Sequence, residues 1–178
     1  MKKMIIISGK AENGKTTLAE TLKSKLEEEG NKVVIMRYAY YLKDLAKRCC
    51  SWNGVKDEAG RSLLQTLGTD IIRNKLNKPN FHVQRVCEDI EICQDYIDYV
   101  IIDDARFPNE IYYPLSTFGD KVVSVRINRK NFNSSLTEEQ KKHISEVALD
   151  DFDFDYRATT KVIEDVDVVA KYLMEEIV

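Results

Sequence analysis

Long hydrophobic runs and blocks of basic residues are both missing from this sequence. The apolar run near the start, residues 4–7, is far too short for a signal peptide or a membrane span, and no later run is long enough either. The net charge is −3 with no basic cluster, which gives no electrostatic reason to expect a long nucleic-acid partner. We therefore expect a cytoplasmic protein that acts on small molecules, without a membrane or a long nucleic acid as partner.

Cysteine pairs and repeats are also absent from the sequence. The four cysteines, at positions 49, 50, 87 and 93, form no C-x-x-C pair, so reduced thiols in a cytoplasmic protein are expected. No internal repeat, low-complexity tract or linker divides the 178 residues, a length that suits one domain with a sizeable core. We expect residues 1–178 to form a single domain, and the sequence leaves a homodimer open.

Apolar runs alternate with helical periodicities along the chain. Residues 4–7, 32–37, 99–103 and 121–127 are predicted strands, and residues 156–162 a weaker one. Leucines at every fourth position predict a helix over 16–29, and apolar patterns predict helices over 60–76, 83–97 and 166–177. The sequence TEEQ at 137–140 resembles a capping box that opens a further helix. Strands that are apolar throughout and alternate with helices indicate an α/β fold with a parallel five-stranded sheet covered on both faces.

The segment directly after the first predicted strand carries the strongest motif. It reads GKAENGKT and matches G-x-x-x-x-G-K-[ST] without a mismatch, between a strand and a helix as this phosphate-binding loop (P-loop) requires. Its glycines let backbone N–H groups point at phosphate oxygens, and the following helix directs its positive end at the same anion. Lys15 can reach the β- and γ-phosphates, and the Thr16 hydroxyl can hold Mg²⁺. The predicted ATP-binding residues are Gly9, Lys10, Ala11, Glu12, Asn13, Gly14, Lys15, Thr16 and Thr17.

Two consecutive carboxylates, Asp103 and Asp104, end the third predicted strand. Ligands of parallel sheets bind at the carboxyl ends of the strands, where an acidic residue can orient Mg²⁺ or take a proton from the acceptor. Because side chains alternate along a strand, the two cannot both face the site if the strand stays extended. Both are candidate metal residues, together with Thr16.

Basic residues are needed wherever a phosphoryl group passes between two anions. Arginine suits this role better than lysine, because its guanidinium can donate two parallel hydrogen bonds to phosphate oxygens. Arg61 and Arg73 flank the predicted helix over 60–76. We expect both to bind the phosphate of the acceptor. Gln65, on the same helix, could hydrogen-bond the edge of a base.

Short motifs along nearly the whole chain resemble one known family. The P-loop is followed in order by AYYLK (39–43), GRSLLQTLGTDIIR (60–73), DARFPNE (104–110), HISE (143–146) and DDFDFDY (150–156). Together they resemble deoxynucleoside monophosphate kinases of the phage type and, more distantly, phosphomevalonate kinases of the animal type. The resemblance implies a three-layer α/β/α P-loop fold, ATP with Mg²⁺ as donor, and a nucleoside monophosphate as acceptor.

The resemblance also implies roles for individual residues. Residues 38–97 would form an acceptor-binding insertion and residues 128–142 a lid. The implied catalytic residues are Lys15, Asp104, Arg106 and Arg129, and the implied acceptor-binding residues are Lys43, Arg61, Gln65, Arg73, His143 and Glu146, with Ser145 nearby. Because the family's Asp-x-Arg tripeptide begins at Asp104, we expect Asp104 to matter more for turnover than Asp103.

Other activities stay open beside this one. A kinase for another small phosphorylated metabolite, such as phosphomevalonate, or a nucleotide-binding protein without catalysis would also carry a P-loop. Four aromatic residues near the acceptor segment favour a base, because rings stack: Tyr38, Tyr40, Tyr41 and Trp52. A GTPase switch would need D-x-x-G after the acidic strand and an N-K-x-D motif, and the sequence has neither.

Overall fold

A five-stranded parallel sheet forms the centre of the molecule. The computed structural model describes residues 1–162 and 164–177. The strands are β1 Lys3–Ser8, β2 Val33–Met36, β3 Tyr99–Ala105, β4 Val122–Arg129 and β5 Tyr156–Thr160. They lie in the order β2-β3-β1-β4-β5, and all neighbouring pairs are parallel. The predicted α/β fold with its five parallel strands is confirmed.

Helices connect these strands and cover the sheet. They are α1 Lys15–Glu28, α2 Ala39–Cys49, α3 Glu58–Gln65, α4 Phe81–Cys93, α5 Asn109–Phe118, α6 Glu138–Lys142, α7 Ile144–Val147 and α8 Asp165–Ile177. A π-helical segment, Thr66–Lys75, follows α3 directly. Within the described ranges, no helix has both the length and the apolar character needed to cross a membrane.

Strand β1 shows why the fold has three layers. Ile5 and Ile7 belong to a buried cluster with residues of α1 and α8, whereas Met4 and Ile6 belong to a second cluster with residues of α4 and α5. Alternate side chains of one strand therefore enter two separate cores, one on each face of the sheet. This explains the continuous apolar run, since a strand that is covered on both faces has no side that meets water.

Three helices and one break were not predicted. The helix expected over 60–76 is divided at residue 65, where α3 passes into the π-helical segment. The helices α2, α5 and α7 are additional, and α5 is short with Pro114 inside it. A proline removes a backbone donor and interrupts helical periodicity, which hid α5 from the pattern.

Strand β3 is irregular at its carboxyl end. Ile6 of β1 pairs with Ile102, but Ser8 pairs with Ala105, so β3 has one residue more than β1 in this interval. The two aspartates of β3 lie inside this bulge. A bulge breaks the strict alternation of side chains, and both carboxylates line the same cavity, so the premise that only one of them can face the site does not hold.

The order of the strands places β1 at the point where ligands bind. The chain lays β2 and β3 on one side of β1 and β4 and β5 on the other. The carboxyl end of β1 is thus a topological switch point, where the loops that follow neighbouring strands separate and leave a crevice. The P-loop begins there.

Candidate active site

The P-loop needs its glycines for two separate reasons. Gly14, at the start of α1, has φ of 88°, a left-handed conformation that costs a side chain strain. A Cβ on Gly9 would lie 2.5 Å from the carbonyl oxygen of Ile127 in β4. The loop is therefore curled at one end and pressed against the sheet at the other.

Lys15 lies inside the curl of the loop and is 9% exposed. Its Nζ donates to the carbonyl oxygens of Gly9 (2.9 Å) and Lys10 (2.7 Å). Burial, and next the charge of Arg106, lower the pKa of Lys15 to about 7. A phosphate in the loop would favour the charged ammonium, since an opposite charge raises the pKa of an amine.

Thr16 and Asp103 lie together at the carboxyl end of the sheet. The Thr16 hydroxyl donates to Asp103 Oδ2 over 2.8 Å, and Arg37 grips both carboxylate oxygens at 2.7 and 2.9 Å. Burial alone would raise the pKa of Asp103, but the hydrogen bonds from Arg37 and Thr16 outweigh burial and lower it. Asp103 is therefore an ionised, buried carboxylate beside the hydroxyl of the P-loop.

Asp104 has a different set of partners. Its Oδ1 accepts the backbone N–H of Tyr38 (2.9 Å) and its Oδ2 the N–H of Ala39 (3.0 Å), at the start of α2. Burial raises the pKa of Asp104, against these two hydrogen bonds. Both of its oxygens are used to hold α2. The geometry thus favours Asp103 for the metal side, which is the reverse of the order expected from the tripeptide.

Two cavities meet at the P-loop. The smaller, of about 260 Å³, is lined by P-loop residues together with Thr17, Arg129, Thr160, Val162 and Val166. The larger, of about 590 Å³, lies between the P-loop, the end of β3 and the segment that contains α2, α3 and the π-helix. Glu12, Lys15 and Thr16 line both cavities. A ligand in either cavity would therefore contact the same lysine and threonine.

Two lysines and Arg61 supply charge to the larger cavity. Lys43 and Lys56 both line it, and burial, then repulsion from Lys56, lower the pKa of Lys43. An anion placed between the lysines would relieve that repulsion. Arg61 also lines the cavity and bonds to Glu12 (3.3 Å) and to the Ser135 hydroxyl (3.1 Å).

Arg73 lines the same cavity, but its guanidinium already has partners within the protein. It forms a buried ion pair with Glu110 and donates to the Pro79 carbonyl (2.7 Å) and to Asn109 Oδ1 (3.1 Å). Its flat face lies 3.8 Å from the centre of the Phe107 ring. The geometry favours a structural role for Arg73, contrary to the expectation that it binds the acceptor's phosphate. The partner is Glu110, which the sequence did not suggest.

The motif HISE lies against the P-loop. Glu146 accepts from Arg106 (2.6 Å) and from the backbone N–H of Ala11 (3.1 Å), and Ser145 lines the larger cavity beside it. His143 instead caps α7, where its Nδ1 accepts the N–H of Ser145. His143 lines neither of the two cavities.

The segment expected to form a lid, residues 128–142, contacts the P-loop. The backbone N–H of Ser135 donates to Glu12 over 2.9 Å, and Leu136 lines the larger cavity. Arg129 lines the smaller cavity, and its guanidinium lies 4.4 Å from the Phe132 ring centre. Arg129 therefore lines the smaller cavity, whereas the segment expected to bind the acceptor, residues 38–97, lines the larger one.

Several lining residues were not predicted from the sequence. Phe107 and Glu110 lie within the motif DARFPNE, but only its first and third residues were assigned roles. His82 and Lys56 carry no motif. His82 lies one residue before the helix predicted over 83–97 and four before Val86, so it continues the apolar face of that helix, which is the signal that could have found it. Of the four aromatic residues expected near the acceptor, Tyr38 lines the cavity, whereas Tyr40 is exposed on the surface.

Comparison with known proteins identifies the family. The model of the deoxynucleotide monophosphate kinase family matches residues 43–165, more than half of the chain. This chain belongs to the deoxynucleotide monophosphate kinases. It is therefore a nucleotide-kinase-type enzyme that transfers phosphoryl groups from ATP. No curated protein matches the chain.

Solved structures show the same fold for this kinase. A mutant of the Mycobacterium tuberculosis APS kinase is 13% identical with a TM-score of 0.54, and the match covers 97% of this chain and 96% of the other. The hexameric APS kinase from Thiobacillus denitrificans is 14% identical with a TM-score of 0.49, over 98% of this chain and 30% of that one. At such low identity the first likeness shows the P-loop kinase fold and nothing finer.

Proposed function

We propose that this kinase phosphorylates a deoxynucleoside monophosphate, giving the diphosphate and ADP, with Mg²⁺ at the site. The observation that carries the proposal is the meeting of two cavities at Lys15 and Thr16. A donor in one cavity and an acceptor in the other would present their phosphates to the same two side chains. Transfer then needs no relocation of either substrate, which is the entropic advantage of a preassembled site.

The donor fits the smaller cavity. The P-loop supplies N–H groups for the β- and γ-phosphates, and α1 starts there with its positive end. Val162 and Val166 offer an apolar wall, and Arg129 a flat cation, beside Thr160. A purine ring is planar and largely apolar, so this lining suits the adenine side of ATP.

The donor set beside the P-loop suits Mg²⁺. Thr16 and Asp103 place a hydroxyl and an ionised carboxylate 2.8 Å apart, and hard oxygen ligands are those that Mg²⁺ prefers. These two residues would hold the ion. When bound, Mg²⁺ neutralises charge on the phosphate oxygens.

The acceptor fits the larger cavity. Lys43, Lys56 and Arg61 would receive its phosphate, while Lys15 follows the charge that develops on the transferred group. An oxygen of the acceptor's phosphate forms a bond to the γ-phosphorus as the bond to the β–γ bridging oxygen breaks. No oxidation is involved, and the electron pair of the broken bond leaves with ADP.

A coupled assay of ADP release tests the proposal. The four deoxynucleoside monophosphates, the four ribonucleoside monophosphates and phosphomevalonate are supplied in turn with ATP and Mg²⁺. We expect release with at least one deoxynucleotide and a loss of release in the Lys15→Ala variant. Release with phosphomevalonate alone would assign the other metabolite, and ATP binding without release for any acceptor would indicate a non-catalytic nucleotide-binding protein.

A further inference from the structure

His82 is a buried polar side chain without a partner. It lies on α4, is 4% exposed, and lines the larger cavity. Neither Nδ1 nor Nε2 has a hydrogen-bond partner among the residues described. Buried polar groups in proteins are nearly always paired, and an unpaired one costs stability. The fold itself thus gives no reason for a histidine at this position.

The surroundings of His82 keep its ring neutral. The Phe81 ring meets it edge-on, with 5.3 Å between centres, and Gly68 of the π-helical segment faces Nε2. Even a Cβ added to Gly68 would lie 4.0 Å from Nε2, at ordinary contact distance, so residue 68 does not obstruct this nitrogen. Burial, and next the charge of Arg73, lower the pKa of His82 to about 4. At neutral pH the ring therefore has one N–H donor and one acceptor.

The cavity around His82 differs from its end at the P-loop. Phe107, Leu42 and Leu64 give it aromatic and aliphatic walls, and Gln65 and Thr69 add neutral polar groups. Arg73, whose charge acts on His82, is paired with the carboxylate of Glu110. A phosphate would gain little from such a lining, whereas a planar heterocycle with donors and acceptors on its edge would match it.

We propose that His82 recognises the acceptor nucleotide by hydrogen-bonding the edge of its base. This inference rests on the proposed function, because it takes the acceptor to be a nucleotide. A neutral imidazole can present either a donor or an acceptor at Nε2, according to its tautomer. Gln65 offers the same choice after rotation of its amide. The pair therefore fits keto and amino bases alike, and we expect several deoxynucleotides to be accepted.

The test replaces His82 with phenylalanine, which keeps a flat ring and removes both nitrogens. Glu91→Gln, at an exposed position of the same helix, is the matched control. Melting is measured with and without each deoxynucleotide, and kinetics with ATP held constant and then varied. We expect ligand-free melting to be unchanged or higher, because an unpaired polar group is removed. The deoxynucleotide should raise the Tm of His82→Phe less than that of the wild type.

Kinetics should show the same selectivity. In His82→Phe, kcat/KM for the acceptor should fall about tenfold or more, with the KM for ATP unchanged. The loss should differ among bases and should be absent for deoxyribose 5-phosphate, which has no base. His82→Gln should recover part of the lost kcat/KM, because the glutamine amide can lie close to the position that Nε2 occupies in the wild type.

Other results would overturn the inference. A lower ligand-free Tm with an unchanged acceptor kcat/KM would make His82 a structural residue. An equal loss for every base and for deoxyribose 5-phosphate would show that it reads something other than the base. If the wild type uses no monophosphate, the proposed function fails and the inference fails with it. If the wild type is active and His82→Phe matches it, only the inference fails.

Discussion

Replacing Arg73 with alanine should destabilise the kinase much more than it weakens acceptor binding. The side chains of Arg73 and Glu110 are 8% and 5% exposed and form an ion pair. Loss of the arginine leaves Glu110 buried with only the backbone N–H groups of Arg106 and Phe107 as partners. Breaking a buried pair from one side costs about 3–5 kcal/mol.

This cost can be expressed as a melting shift. For a chain of this size, 1 kcal/mol corresponds to about 2–4 °C in Tm, so Arg73→Ala should melt roughly 6–20 °C below the wild type. The substitution also removes the contact between the guanidinium and the Phe107 ring, whose centre lies 3.8 Å away. The decrease in Tm should therefore exceed the lower limit of this range. Differential scanning calorimetry and urea unfolding measure the change directly.

Arg61→Ala is the informative comparison. The Arg61 side chain is 29% exposed and its pair with Glu12 spans 3.3 Å, so its loss should cost less than about 1 kcal/mol. Arg61 lines the acceptor cavity, and its loss should raise the acceptor's KM with the KM for ATP nearly unchanged. Kinetics are measured well below the melting range of both variants. If Arg73→Ala has the same Tm as the wild type and raises the acceptor's KM, then Arg73 binds the acceptor's phosphate in place of Glu110, and the structural interpretation is wrong.

Four further substitutions test other parts of the molecule. Lys15→Ala should lower kcat roughly 100-fold or more with an unchanged Tm, and near-normal turnover of the folded variant would contradict its role. Asp103→Asn should reduce turnover and raise the Mg²⁺ requirement, while Asp104→Asn should mainly lower stability, by about 1 kcal/mol, and the opposite ranking would return the metal role to Asp104. Gly60→Ala should lower the Tm, because the added Cβ would lie 2.2 Å from the Val55 carbonyl oxygen. The expected loss of unfolding free energy is about 1–3 kcal/mol, and an unchanged Tm would refute this packing.

The sheet and the P-loop could be predicted because their signals are local. Strands β1, β2 and β3 are short, mostly apolar runs, and the glycines and Lys15 of the P-loop are fixed by the conformation of a few consecutive residues. The capping box at Thr137 was predicted for the same reason, and the structure has both of its hydrogen bonds. Signals of this kind depend only on neighbours in sequence, so they can be recognised without knowledge of the fold.

The partners of the arginines could not be predicted, because they depend on distant segments. Glu110 lies 37 positions after Arg73, and only the packing of α5 beside the π-helical segment brings the two together. The same holds for His82, whose ring lies beside Gly68 of another element and has no hydrogen-bond partner among the described residues. A charged or polar residue is free or engaged according to what it meets in three dimensions, and composition and periodicity do not record this.

The bulge in β3 links the two halves of the site. One extra residue lets consecutive carboxylates turn to different partners: Asp103 to the hydroxyl of the P-loop, and Asp104 to the first backbone N–H groups of α2. Helix α2 carries Lys43 into the acceptor cavity. One peptide bond at the end of a buried strand thus joins the carboxylate beside the P-loop to the carboxylate that holds α2. Because this link is part of the sheet and not of a loop, we expect it to fix the spacing between the proposed metal side and the proposed acceptor cavity.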